Sequence, residues 1–200
     1  MSRNIEILLG SQSPRRRALL AGLDVPFTAI SIDADESYPA ELQGGEIPFF
    51  ISRAKAQAYA SKLAENQLLI TADTIVWLDG HMLGKPHDEA EAIEMLKALR
   101  NKTHQVYTAV TFAHIETSTS RHLEISTVVD KTDVTFGDLS DEEIAYYVHK
   151  YCPLDKAGAY GVQEWIGYVA CTAMNGSYFN VMGFPVHLVY EQLKKYDISI

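Results

Sequence analysis

Residues 5–20 constrain this chain more than any other stretch. An apolar run, Ile5 to Leu9, reads as a buried strand, and Gly10-Ser11-Gln12-Ser13 turns the chain sharply at its end. Ser13 is a preferred N-cap and Pro14 suits the first helical position. Leu19, Leu20 and Leu23 give the following helix an apolar face, and Gly22 can end it. A strand that opens a helix through small polar residues gathers free backbone N–H groups at one point. With the helix dipole they favour an anion there. Arg15, Arg16 and Arg17 occupy the same first turn, where cations oppose the dipole. A phosphate-rich ligand satisfies both the arginines and the N–H groups, so the conflict points to phosphate binding. The alternative is a solvated basic turn beside ordinary capping. On the dipole argument, removing Arg16 should leave the ligand-free protein as stable as before or slightly more so.

The 200 residues, 47% hydrophobic, suffice for a proper core as one domain over 1–200, with or without a smaller lobe. The net charge of −9 argues against a broad nucleic-acid surface. In such an acidic chain a local cluster of arginines reads as a pocket. No apolar run is long enough to span a membrane. Met1-Ser2-Arg3-Asn4 leads straight into a strand, without the apolar core of a signal peptide. Cys152 and Cys171 form no CxxC pair, so a reducing, cytoplasmic location is expected. The seven histidines show no HxxxH or similar spacing, so none is expected to hold a metal.

Phe27 to Ile32 alternates as a second strand and ends at Asp33-Ala34-Asp35-Glu36. That acidic run is either a solvated loop or a site for a divalent cation, since oxygen ligands suit magnesium or manganese. Ile47, Phe50, Ile51, Ala54 and Ala58 fall on one helical face, with Lys55 at its edge, where a lysine usually reaches back to solvent. Leu68 to Leu78 is a nearly continuous apolar strand interrupted by Asp73. A carboxylate there costs several kcal/mol unless it is paired or metal-bound, which marks Asp73 as functional or as a buried cap. Asp79-Gly80 signals a hairpin turn returning through His81-Met82-Leu83, and Lys85 then sits where it could reach a phosphate.

Asp88 with Glu91, and Ser140 with Glu143, have capping-box spacing and start two more helices. The first carries Ala92, Ile93, Leu96 and Leu99, and the second Ile144, Tyr147 and Val148 before Cys152-Pro153 stops it. Gln105–Ile115 and Leu123–Phe136 read as a long antiparallel hairpin, with Glu116 to Ser120 as its turn and the option of a subdomain of its own. Asp155 to Gln163 is too rich in glycine and charge for a core element and reads as a shaped loop. Asn175 to Pro185 reads the same way, leading into a final helix from Pro185 to Lys195.

Six segments in this order resemble the Maf family of nucleoside triphosphate pyrophosphatases: Ser11-Gln12-Ser13-Pro14-Arg15-Arg16, Ala72-Asp73-Thr74, Leu83-Gly84-Lys85-Pro86, His104 to Thr108, Asp155 to Gln163, and Asn180-Val181-Met182-Gly183-Phe184-Pro185. The loop Asp155 to Gln163 is similar to that of the dTTP/UTP branch rather than the 7-methyl-GTP branch. The chain departs from the commoner start in Gly10 and Gln12, neither of which removes a matched polar group. The resemblance implies an α/β fold with an elongated, mixed, twisted sheet, flanking helices and a central cleft between two lobes, akin to the inosine triphosphate pyrophosphatases. It also implies a homodimer. The implied reaction splits a nucleoside triphosphate between its α and β phosphates. Asp73 matches the family's general base. Arg15, Thr74 and Gln163 match positions of substrate choice. Ser11, Ser13, Arg16, Lys55 and Lys85 match phosphate-holding positions, and Glu36 an acid that helps Asp73 bind the metal.

This chemistry agrees with the residues. Triphosphate hydrolysis needs charge neutralisation, an in-line water and a base. The arginines and lysines supply the first, with a divalent cation, Mg2+ or Mn2+, held by carboxylates. Gln163 has the donor and acceptor to read the O4/N3–H edge shared by uracil and thymine. Two alternatives stay open at this level: a pyrophosphatase for another or modified nucleotide such as 7-methyl-GTP, and a non-hydrolytic nucleotide-binding regulator, which would not need Asp73.

Overall fold

The central strand is β3, Gln67–Leu78. In this computed structural model, which describes residues 5–117, 121–196 and 198, β3 lies between one parallel and one antiparallel neighbour. On one edge β1 (Glu6–Gly10) runs parallel to it, and β2 (Phe27–Ile30) runs parallel to β1. On the other edge the hairpin of β5 (Thr103–Glu116) and β6 (His122–Phe136) continues the sheet antiparallel, and β7 (Cys171–Asn175) closes it. The short β4 (His81–Leu83) folds back onto β3. Asp79 and Gly80 both take positive φ, 49° and 85°, as a type I′ hairpin turn requires. The result is one mixed seven-stranded α/β sheet, and the β5–β6 hairpin is its middle rather than a separate subdomain. Residues 118–120 of the expected hairpin turn, and the N-terminal 1–4, lie outside the described residues.

The apolar runs are continuous because β1 and β3 are covered on both faces. Ile7, Leu9, Leu68, Ile70 and Ala72 pack with Leu20 of α1 (Pro14–Ala21) and with Val189 and Leu193 of α7 (Val186–Lys194). On the opposite face Leu8 and Leu69 meet Ala56 of α2 (Glu46–Tyr59). Further along the first face, Val76 and Leu78 join a second core with α3 (Glu89–Leu99), α4 (Asp141–Tyr151) and α5 (Trp165–Ala170). Between α5 and α7 lie β7 and the short α6 (Tyr178–Val181).

Local signals are obeyed at most helix starts. Ser13 accepts from Arg16 N, Asp88 from Glu91 N, and Ser140 with Glu143 forms a complete capping box. Three expectations need correction. The inner face of α2 is Ile47, Pro48, Ile51, Ser52 and Ala56, whereas Phe50 and Ala58 are exposed. The helix is turned because Ser52 is accommodated inside. Its hydroxyl meets Thr111 at 2.8 Å and its carbonyl accepts from Thr71 at 2.7 Å. The Asp155–Gln163 loop is part of the core, with Ala159, Tyr160 and Val162 buried. Gly158, at φ 66°, makes this possible, since a Cβ there would stand 2.9 Å from Val76. The strand Phe27 to Ile32 ends at Ile30, where its pairing with β1 stops at Gly10.

Candidate active site

The topology leaves a gap in the sheet. On one edge of β3, β1 pairs with Gln67–Ile70 and β4 with Val76–Leu78, while β5 occupies the other edge throughout. The edge over Thr71–Ile75 therefore faces the N-terminus of α1. Arg16 fills part of this gap. Its Nη1 donates to the Ala72 carbonyl (3.0 Å), its Nη2 to Thr74 Oγ1 (3.0 Å) and its Nε to the Gly183 carbonyl (2.8 Å). Gly183 takes φ 97°, and a Cβ would press to 3.2 Å from Thr74 Oγ1, so the loop before α7 can approach only as glycine. Three of the five guanidinium N–H bonds are thus used, and one on each Nη remains for a ligand. Against the expectation that Arg16 is dispensable for stability stand these three hydrogen bonds, which tie α1, β3 and the 183 loop together.

Successive residues of β3 point to opposite faces. Thr74 faces α1 and α7, where its hydroxyl also meets Thr108 Oγ1 at 3.0 Å, and Thr108 donates to the Asn180 carbonyl. Asp73 faces α2. There Lys55 Nζ lies 2.9 Å from Asp73 Oδ1 and 2.9 Å from Glu36 Oε1. The Lys55 and Asp73 side chains are each only 13% exposed, so Lys55 does not reach out to solvent as its helical position suggests. Burial pushes the Asp73 carboxyl above the usual aspartate range, against the pull of Lys55 and Arg16. At Glu36 burial acts in the same direction. There Lys55, with Lys85 and Arg16, outweighs it and holds the carboxyl below the usual range. Two neighbouring carboxyls pushed in opposite directions are suited to different roles.

These groups line a cleft of about 510 Å³. Ser11 and Ser13 come from the β1–α1 turn, Arg15 and Arg16 from the first turn of α1, Glu36 from the loop after β2, Lys55 from α2, Asp73 and Thr74 from β3, Lys85 from the loop after β4, and Gln163 from the core loop. All ten residues singled out in the sequence thus meet in one place. Asp33 and Asp35 do not line it, and Asp35 instead accepts from Ser37 N at 2.9 Å. The lining also holds Asp155 and Lys156, to which the sequence assigned no role. Arg15 pairs with Asp155 at 3.1 Å across the cleft. Five cations and three carboxylates face this cleft in a chain of net charge −9, which makes it a local anion trap.

Two carboxylates that reach one ammonium ion converge on a point a cation can occupy. Asp73 and Glu36 have that arrangement around Lys55 Nζ. Their all-oxygen donor set fits a small hard cation that takes its remaining ligands from phosphate and water. Another cluster among the described residues, His114, Glu116 and Glu124, brings its ligand atoms within 4.8 Å across β5 and β6. Spacing along the sequence shows only His114 and Glu116, two residues apart on β5, because Glu124 joins them from β6 as the cross-strand partner of His114. His104, by contrast, is a core residue. Burial lowers its pKa to about 4, and its Nε2 lies 2.8 Å from the hydroxyl of the cleft-lining Tyr160.

The sequence profile of the family described as Maf-like protein matches residues 6–196. A dTTP/UTP pyrophosphatase of Bacteroides thetaiotaomicron is 52% identical over 191 residues, covering 95% of each chain. A dTTP/UTP pyrophosphatase of Porphyromonas gingivalis is 49% identical over 197 residues, covering 97% of this chain and 96% of its own. Among solved structures, the Staphylococcus aureus Ham1 protein shares the fold with a TM-score of 0.52 at 16% identity, over 95% of this chain and 98% of that one.

Proposed function

The chain belongs to the Maf family, and from that premise we propose that it hydrolyses dTTP and UTP to the monophosphate and pyrophosphate. The observation that carries this reading is the buried Asp73 carboxylate, held at 2.9 Å from Lys55 inside a cleft otherwise rich in cations. A carboxylate facing the phosphates repels them unless it holds a cation or takes a proton, and hydrolysis uses both.

The triphosphate lies along the open edge of β3. Arg16, Lys55 and Lys85 neutralise its oxygens, and Ser11 and Ser13 donate hydrogen bonds from the turn. Asp73 and Glu36 would hold a divalent cation, magnesium or manganese, which would supply further charge neutralisation. Asp73 orients a water for in-line attack and takes its proton. Arg15 and Thr74 fix the nucleotide beside the phosphates. Gln163 pairs its amide with the O4/N3–H edge of the base. Incubating the purified protein with UTP, dTTP, CTP and 7-methyl-GTP, with Mg2+ or Mn2+, and assaying pyrophosphate tests the reading. UTP and dTTP should be turned over best. Pyrophosphate from 7-methyl-GTP alone, or from none of them, overturns it.

Gln163→Ala should narrow the UTP/CTP ratio in kcat/KM mainly by damaging UTP. A site built to pair those atoms discriminates by orders of magnitude, because the wrong base leaves polar groups unmatched. If all triphosphates slow by a common factor, Gln163 only braces its loop.

We also infer a homodimer working in the cytoplasm. The free cysteines, Cys152 and Cys171, suit that reducing compartment, where nucleoside triphosphates are held. Tyr168 and Val169 on α5, and Tyr178 and Phe179 on α6, are exposed, with Tyr168 at 81%, and offer apolar surface for a second copy. Sedimentation equilibrium reads the mass directly.

A further inference from the structure

The groups behind Gln163 form a continuous chain of polar contacts. Gly161 N donates to Tyr147 Oη at 3.0 Å, and Tyr147 Oη donates to Glu164 Oε2. Glu164 Oε1 lies 3.2 Å from Lys156 Nζ, which is 2.7 Å from Asp155 Oδ1. Asp155 Oδ2 in turn accepts from Arg15 at 3.1 Å. The sequence thus reads backbone, hydroxyl, carboxylate, ammonium, carboxylate, guanidinium. It runs from the base-reading loop to the turn that begins α1. Tyr147 is fully buried and Lys156 only 8% exposed.

Neither Tyr147 nor Glu164 lines the cleft, and both stand behind the residues that do. Packing does not require the hydroxyl of Tyr147 either, since its ring stacks on Tyr151 and is enclosed by the core around α3 and α4. A buried ion pair adds little stability over apolar side chains of the same size. What the network does determine is the placement of the loop. A Cβ on Gly161 would stand 2.8 Å from Glu164 Cδ and 3.0 Å from Gln163 Nε2. The Glu164 carboxylate and the Gln163 amide therefore both rest against Gly161, whose N–H is fixed by Tyr147.

We propose that Tyr147 and Glu164, joined through Lys156 and Asp155 to Arg15, are positioning residues for base selection: they clamp the Gln163 loop at a fixed distance from the phosphate-binding turn. The inference rests on the pyrimidine reading above and deepens it. Pairing with a base edge demands placement within a few tenths of an ångström, whereas phosphate neutralisation by long cationic side chains does not. A slack loop loses the first and keeps the second.

The test is kcat and KM for UTP, dTTP and CTP on wild type, Tyr147→Phe and Glu164→Gln, with melting temperatures recorded alongside. Tyr147→Phe should lower the UTP/CTP ratio in kcat/KM about tenfold, the scale of one lost hydrogen bond to a charged group. The loss should lie in the KM for UTP, with kcat at saturation within about threefold of wild type. Glu164→Gln keeps the shape and an acceptor oxygen, so it should give a smaller fall in the same ratio. It also supplies the measurement if Tyr147→Phe does not fold. A wild type without preference for UTP over CTP overturns the base reading and the clamp together. A wild type that has the preference, with foldable variants that keep it or that slow every triphosphate equally, overturns the clamp alone.

Discussion

Asp73→Asn is expected to lower kcat for UTP by about 10²–10⁴-fold, the usual contribution of a general base. The loss should persist at saturating metal, because the amide can neither take a proton nor supply the second carboxylate opposite Glu36. Stability should move the other way. Folding raises the Asp73 pKa, chiefly by burial, so the folded chain holds that proton more tightly than the unfolded chain. The resulting stabilisation is fully present below the unfolded pKa and is lost as pH rises from there through the folded pKa. At pH 7, well above the pKa of an unfolded aspartate, burying the carboxyl is thus a net cost, and a neutral isostere removes it. Lys55 retains a carboxylate partner in Glu36, 2.9 Å from it in the wild type. The melting temperature of ligand-free Asp73→Asn at pH 7 should therefore equal or exceed that of wild type. A variant turning over UTP within tenfold of wild type would remove Asp73 from the chemistry. A large fall in melting temperature would make the carboxylate structural.

Part of the candidate site was legible from local signals, whereas Thr74 and Gln163 came only with the family resemblance. A lone carboxylate inside an apolar strand and three arginines at a capped helix start each conflict with their immediate surroundings. Such conflicts concentrate at sites. What the same residues do to one another was not legible. Lys55 and Asp73 lie 18 residues apart, and nothing in α2 says that its lysine turns inward. Arg16 finds its acceptors 56 to 167 residues away.

Polarity misled the reading of Asp155–Gln163. Glycine and charge usually mark a surface loop. Here the backbone groups are satisfied from inside, Gly158 N by the Gly84 carbonyl and Gly161 N by Tyr147, so the segment can be buried. The charged residues at its two ends, Asp155, Lys156 and Glu164, then pair with one another. The helix α5 and strand β7 escaped for a related reason. Trp165–Ala170 spans less than two turns, too short for a 3.6-residue period to show, and β7 is held by pairing with β6 rather than by its own alternation.

Arg16→Ala is the second large effect, and here the sequence and the structure make opposite forecasts. The dipole argument gives equal or higher stability, because a cation leaves a helix N-terminus. That term is worth less than about 1 kcal/mol at a surface. Against it stand the Ala72 and Gly183 carbonyls and the Thr74 hydroxyl, all of which lose a charged donor. A buried acceptor left without its partner costs about 1–3 kcal/mol. Even with water replacing some of these bonds, the balance is a loss of roughly 2–5 kcal/mol, in line with removing one partner of a buried charged network. For a chain of this size that lowers the melting temperature by on the order of 10 °C. The KM for UTP should rise as well, because one N–H on each Nη is withdrawn from the phosphates. Arg16→Lys separates the two contributions. Its single ammonium restores the charge toward the triphosphate but cannot reach three acceptors in fixed directions. It should recover part of the KM and little of the melting temperature. Thermal denaturation without ligand decides the matter: an Arg16→Ala variant that melts with wild type, whatever its KM, would restore the dipole argument and leave the guanidinium as a ligand for phosphate alone.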